Sequence, residues 1–174
     1  MKDIDNEDCF IAKHEAAHAV MIRELGFEFS QGIDLDADTG AGTRGSVGYS
    51  PMDYRTQELS RNELKMNILP ALAGPVMDAG DEVTDTSELL DALDRQPSDK
   101  KFVDEILEHM DLHDEERTEF LDECLLDTWN ALRCSTVRGA VHALAQNLID
   151  RRHMSAAELK EFIDPKLERN SEAP

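Results

Sequence analysis

Cysteine is scarce in this sequence. The chain has only Cys9, Cys124 and Cys134, and no two of them form a C-x-x-C pair. Three widely spaced cysteines do not provide the disulfide framework of a small secreted domain, and the missing pairs exclude a zinc ribbon. The acidic N-terminus also lacks the apolar segment of a signal peptide. We therefore expect free thiols and a cytoplasmic location.

Basic residues and long apolar runs are scarce as well. Lys and Arg number 18 against 38 Asp and Glu, which gives a formal net charge of −20. Nucleic acids and anionic membrane surfaces select basic patches, so we expect neither as a partner. No apolar stretch approaches the roughly 20 residues needed to cross a bilayer.

The chain has enough apolar residues for one core. Hydrophobic residues make up 40% of its 174 positions, which suits one domain of ordinary size. We predict a single domain over residues 1–165, followed by a polar tail over 166–174.

One segment, CFIAKHEAAHAVMIREL at residues 9–25, carries the pattern H-E-x-x-H. In a helix, His14 and His18 lie one above the other on one face, so both imidazoles can reach a single ion. Glu15 lies about 100° around the helix from His14, where it can hold a metal-bound water without ligating. Catalytic zinc takes three protein ligands and an open position. This segment therefore predicts two zinc ligands and a general base.

The alternative interpretation is a pair of histidines on a solvated helix, because H-E-x-x-H fixes only three positions and occurs by chance in unrelated chains. The neighbouring residues favour a buried helix instead. Apolar flanks and small residues beside the histidines are Ile11, Ala16, Ala17, Ala19, Val20 and Ile22.

The remaining sequence predicts a mainly α (α+β) fold. Short alternating stretches at 32–36 and 45–49 predict a β-hairpin around a flexible loop at 37–44. The S-x-x-E patterns at Ser60 and Ser155 predict helices over about 61–78 and 156–163. Pro70 is expected to kink the first of these or to mark its first turn, and Pro165 to end the second. Further helices are predicted at about 86–93, 99–110 and 114–152, the last as one bent helix or two.

The third zinc ligand is not where a metzincin has it. That class carries a histidine ten residues after the first one, whereas this chain has Glu24 there and Met21 in place of the glycine. The ligand must come from another segment.

The order of these motifs resembles the peptidase domain of FtsH-type zinc metalloproteases. The similar segments are HEAAHAV at 14–20, IDLDADTGAGTRGSVGYSP at 33–51, LSRNELKMNILPALAGPVMD at 59–78, TSELLDALD at 86–94 and the helical tail at 128–163. In that family a short helix provides an acidic third ligand within a segment like N-D-L-x-x-A. Aligning that segment with residues 87–92 implies Glu88 as the ligand, with Asp91 and Asp85 as alternates.

One more acidic residue, three further histidines and the tryptophan also need an interpretation. Asp78 stands where the family has a Glu, so it is either a solvated acid at a helix end or a partner of a ligand. His109 and His113 also lie four residues apart, but at an expected helix break, and we interpret them as solvated. His142 and Trp129 are expected to pack in the core.

The resemblance implies a zinc-dependent metalloendopeptidase. Its substrates would be peptides or unfolded proteins, with an extended substrate paired to the strand at 45–49. The sequence has no G-x-x-x-x-G-K-[ST] motif, so an ATPase module of the AAA+ type would have to be a separate partner, and a homo-oligomer is possible. The alternatives are an interaction module that kept the fold without catalysis and a structural zinc-binding domain.

Overall fold

The computed structural model describes residues 6–38 and 44–168, and it is mainly helical with one small antiparallel sheet. Its elements are α1 (Asn6–Glu24), β1 (Phe29–Asp38), β2 (Arg44–Tyr49), α2 (Arg61–Ala79), α3 (Thr86–Asp94), α4 (Pro97–Glu108), α5 (Asp114–Arg133), α6 (Ser135–Arg151), β3 (His153–Met154) and α7 (Ala156–Leu167). The mainly α (α+β) class predicted from sequence is confirmed. None of the described helices is long and apolar enough to cross a membrane.

Helix α1 is the central helix of the fold. From Ala16 to Ile22 every residue is buried, His18 included, and the helix packs against α2, α6, α7 and both long strands. It ends at Gly26, whose φ of 79° lies in the left-handed region that glycine adopts without strain. A helix enclosed on this many sides holds its side chains in fixed positions, which a metal centre requires.

Helix α2 packs along α1 and continues through two prolines. Ser60 caps it with a complete capping box, as predicted, and Pro70 and Pro75 both lie inside it. Pro70 therefore does not mark the first turn. The run from Asn67 to Val76 is entirely buried, because α1, α3, α4 and α5 all pack against this helix.

The predicted hairpin is present and has an additional strand. The strand order is β2-β1-β3, with both pairings antiparallel. Strand β3 was not predicted, since two residues are too few to show an alternating pattern. Strand β2 lies at one edge of the sheet, and residues 39–43 of the predicted loop lie outside the described residues.

The C-terminal half confirms one of the two alternatives expected for 114–152 and differs from the sequence expectations at two other points. The region 114–152 forms two helices, α5 and α6, which meet at Cys134. Pro165 does not end α7, which continues to Leu167. His142 was expected in the core but is exposed on α6, because the buried stripe of that helix runs through Val141, Leu144 and Ala145 instead.

Two further sequence expectations concern Trp129 and the cysteines. Trp129 is half-buried and packs against the core with the Arg133 guanidinium over its ring. All three cysteines are free thiols.

Candidate metal centre

His14 and His18 face each other across one turn of α1, as their spacing predicts. Their Nε2 atoms are 2.9 Å apart, and both side chains are buried in spite of their polarity. The ring centroids are 4.6 Å apart in an edge-to-face arrangement. The spacing of four residues thus places two potential ligand nitrogens at one point.

The other ring nitrogen of each histidine is held by an acceptor on α2. The Nδ1–H of His14 donates to Asp78 Oδ2 at 2.7 Å, and the Nδ1–H of His18 donates to the carbonyl oxygen of Pro70 at 2.7 Å. A carboxylate and a carbonyl can only accept here, so Nδ1 carries the proton in both rings. Hydrogen bonds of this kind fix the tautomer and the orientation of metal-ligating histidines. Asp78 is therefore a partner of His14, one of its two sequence interpretations.

Asp99 on α4 is the carboxylate that completes the group. Its two oxygens lie 3.3 Å from His14 Nε2 and 3.5 Å from His18 Nε2. Among the described residues, His14, His18 and Asp99 form the one group of three or more potential ligands whose donor atoms converge.

The three carboxylates predicted as third ligand lie elsewhere, and Asp99 replaces them in this group. Glu88 is exposed and accepts a hydrogen bond from Thr84 Oγ1 at 2.6 Å. Asp85 caps α3 through Ser87 N at 2.9 Å, and Asp91 is exposed on the same helix. The physical reason is the orientation of α3, which turns its apolar residues toward the core and these acids toward solvent.

Asp99 was not among the predicted ligands, because its local sequence pattern predicts only the start of a helix. Pro97-Ser98-Asp99 opens α4, and an acidic residue in the first turn of a helix is usually read as a partner of the helix dipole. Only the packing of α4 against α2 brings this first turn to the histidines. The carboxylate that lies beside the histidines is thus on the helix that follows the one indicated by the motif.

Gly74 on α2 provides the space that the two imidazoles occupy. A Cβ atom at this position would lie 2.4 Å from His18 Nε2 and 2.5 Å from His14 Nε2. Such distances are far below van der Waals contact, so any larger residue would displace the rings.

Glu15 is buried beside the histidines and against the hairpin. A Cβ on Gly45 at the start of β2 would lie 2.7 Å from Glu15 Oε1, and Gly45 has a φ of 95° that favours glycine. Burial raises the pKa of the Glu15 carboxyl, and the neighbouring histidines partly offset this rise. A raised pKa brings a carboxylate closer to the range in which it exchanges protons at neutral pH.

The protein charges around the histidines are negative. Burial by itself lowers the pKa of His14, but the hydrogen bonds and charges of Asp78 and Asp99 outweigh it and raise that pKa to about 10. Burial also lowers the pKa of His18, but the charge and the hydrogen bond of Asp99, together with the Glu15 charge, outweigh it and raise that pKa. Although burial opposes it, the histidines hold the pKa of Asp99 well below its usual range. The carboxylates around the two imidazoles therefore stabilise a positive charge at this position.

These residues fit a divalent metal. Two imidazole nitrogens and a carboxylate are a usual ligand set for catalytic zinc, and tetrahedral bonds of about 2.0–2.1 Å place ligand atoms about 3.3 Å apart. The two distances from Asp99 to the histidines match that spacing, and the 2.9 Å between the histidine nitrogens is somewhat shorter. The glycine that makes room for the rings and the acceptors behind them agree with the same assignment.

A cleft of about 540 Å³ opens over this group. Its lining includes both histidines, Glu15 and Asp99, and no Lys or Arg of the described residues lines it. Its apolar lining includes Phe10, Ile11, Ile22, Val47, Tyr49 and Phe102. Apolar walls around a few convergent polar groups are typical of a site for an organic ligand.

The second histidine pair is not part of the centre. His109 donates its Nδ1–H to the carbonyl oxygen of Glu105 at 2.7 Å, and both His109 and His113 are exposed, as expected for solvated residues.

No protein-family model matches the chain, and no curated protein matches it at a significant level. The resemblance to FtsH-type peptidases thus stays a prediction from the motifs in the sequence.

Proposed function

We propose that the protein is a zinc-dependent metalloendopeptidase with its active site at His14, Glu15, His18 and Asp99. The observation that supports this most is the convergence of His14, His18 and Asp99 at the floor of a cleft that also holds Glu15. His14, His18 and Asp99 would hold Zn²⁺, which would act there as a Lewis acid that polarises a carbonyl group and lowers the pKa of a bound water.

The base in this proposal is Glu15. Glu15 is the residue after His14 on the helix, so its carboxylate lies close to the proposed metal site. Because it is not a member of the ligand group, that carboxylate can accept a proton. In hydrolysis of a peptide bond, Glu15 takes a proton from the attacking water and passes it to the nitrogen of the leaving amine. The burial that raises its pKa favours both halves of that transfer.

In this proposal, His14, His18 and Asp99 bind the zinc ion and take no part in proton transfer. Asp78 and Pro70 fix the imidazoles from behind, so little reorganisation is needed when the metal binds. Three protein ligands leave one position open, whereas structural zinc sites normally have four. This count among the described residues, together with the cleft, favours catalysis over a structural zinc domain or an inactive interaction module.

The cleft suits an extended peptide. Strand β2 lines it through Ser46, Val47, Gly48 and Tyr49 and lies at an edge of the sheet. An edge strand can pair with a substrate backbone, and such pairing selects weakly among side chains. We infer that the substrates are peptides and unfolded proteins in a reducing cytoplasm. The chain has no P-loop motif, so an ATPase that delivers them would be a separate partner, and a homo-oligomer of this chain is the other assembly proposed.

The test is zinc-dependent cleavage of casein in the absence of ATP. We expect the zinc-loaded protein to cleave casein and to leave folded proteins intact. The Glu15→Gln variant should lose this activity while it keeps its zinc, because the change removes a proton acceptor and no ligand.

The matched control is Glu88→Gln, the same substitution on an exposed residue of α3, which should keep full activity. Equal cleavage by wild type and Glu15→Gln would contradict the role of Glu15. A zinc-loaded wild type that cleaves no unfolded substrate would contradict the proposed function and favour an interaction module.

A further inference from the structure

Gln96 immediately precedes α4, the helix that carries Asp99. It is the N-cap residue of that helix, yet its side chain makes no capping hydrogen bond. Ser, Thr, Asp and Asn are favoured at this position because their short side chains accept hydrogen bonds from the first turn. The protein therefore has a poor capping residue at the start of α4.

The amide of Gln96 is engaged at the candidate metal centre instead. Its Nε2 donates to Asp78 Oδ2 at 2.9 Å. The same oxygen accepts the Nδ1–H of His14 at 2.7 Å. One carboxylate oxygen thus connects α1, α2 and the first residue before α4.

This connection acts close to the third ligand. Asp99 lies three residues after Gln96, in the first turn of α4. The position of that turn relative to His14 decides whether the Asp99 carboxylate reaches the histidine nitrogens, which lie 3.3 and 3.5 Å away. A hydrogen bond from the N-cap residue to the partner of His14 fixes that position.

We propose that Gln96 is a positioning residue of the metal centre, which holds Asp99 against the histidine pair through Asp78 at the expense of helix capping. The inference rests on the proposed function, because it assigns Gln96 a role at the same site. It also explains why a residue that caps poorly occupies the N-cap.

The experiment compares two substitutions that separate capping from positioning. Gln96→Ser introduces a good N-cap and removes the hydrogen bond to Asp78, whereas Gln96→Ala removes the hydrogen bond without adding a cap. We expect both variants to bind zinc about 10–100-fold more weakly, as measured by competition with a chromophoric chelator. The Tm of metal-free Gln96→Ser should equal or exceed that of the wild type, and it should exceed that of Gln96→Ala.

The control is Gln57→Ser, the same substitution at an exposed position in the loop before α2, which should change neither quantity. Wild-type zinc affinity in Gln96→Ser would overturn the proposal. A zinc affinity that falls only in the variant with the lower Tm would overturn it too, because Gln96 would then be merely structural.

Failure of the proposed function gives a different result. A zinc-loaded wild type that cleaves no unfolded substrate leaves the comparison of zinc affinities as the test of Gln96. If the wild type binds no zinc, the hydrogen bond is tested in the metal-free protein by NMR of the His14 ring. Faster exchange of the Nδ1 proton in Gln96→Ser supports the role of Gln96 in holding Asp78. Unchanged exchange overturns it.

Discussion

At the scale of single residues, the centre depends on which atoms are absent as much as on which are present. Gly74 has no side chain where the two imidazoles meet, and the nearest ring nitrogen would be only 2.4 Å from a Cβ. The rings of His14 and His18 fit between α1 and α2 because residue 74 is a glycine.

We predict that Gly74→Ala weakens zinc binding by at least about tenfold, because the added methyl group displaces both rings. Alanine favours helix formation by up to about 1 kcal/mol over glycine, so the loss of affinity would not come from a weaker α2. Gly139→Ala on α6 is the control, since nothing lies within 4 Å of its Cβ position. Zinc titration of both variants checks this, and wild-type affinity in Gly74→Ala would contradict the packing described for the rings.

Zinc binding is also expected to release protons. Burial opposes protonation of His14, but Asp78 and Asp99 outweigh it and raise the pKa to about 10, so the ring is protonated at neutral pH without metal. A ligand nitrogen must be unprotonated. The apparent zinc affinity should therefore rise with pH between neutrality and about 10.

Calorimetry in two buffers with different ionisation enthalpies measures this release directly. We expect about one proton or more per zinc at pH 7.5. Identical heats in the two buffers would contradict the raised pKa of the histidines.

At the scale of secondary-structure elements, local signals in the sequence were reliable and long-range ones were not. The capping boxes at Ser60 and Ser155 begin helices where the S-x-x-E patterns predicted them, because capping involves atoms within one turn. The H-E-x-x-H spacing likewise brought His14 and His18 together. Whether α3 or α4 supplies the carboxylate depends on how whole helices pack, and no pattern in one sequence contains that information.

The cap of α7 gives a prediction at this scale. Ser155 accepts a hydrogen bond from Glu158 N, and the Glu158 carboxylate accepts one from Ser155 N at 2.8 Å. Ser155→Ala should lower the free energy of unfolding by about 1 kcal/mol. Urea denaturation measures this, with Ser50→Ala at an exposed position after β2 as a control that should remain near wild type. Equal stability of the two variants would show that the cap contributes nothing.

At the scale of the whole molecule, both the net charge of the chain and the fold around the cleft bear on the binding of a cation. The chain has a formal net charge of −20, and among the described residues the cleft is lined by the carboxylates of Glu7, Glu15 and Asp99 and by no Lys or Arg. A divalent cation is therefore drawn to the site by the nearby charges and by the molecule as a whole. Helix α1 carries Glu7 and Glu15, helix α4 carries Asp99, and all three lie beside apolar residues that line the cleft.

The most direct test of this account is a crystal structure of the zinc-loaded protein with anomalous scattering measured on both sides of the zinc edge. We predict one zinc ion per chain, bound by Nε2 of His14, Nε2 of His18 and a carboxylate oxygen of Asp99 at about 2.0–2.2 Å. Glu15 should lie beside the ion without ligating it. A zinc ion bound by Glu88, Asp91 or Asp85 instead of Asp99, or no zinc ion between the two histidines, would contradict the account.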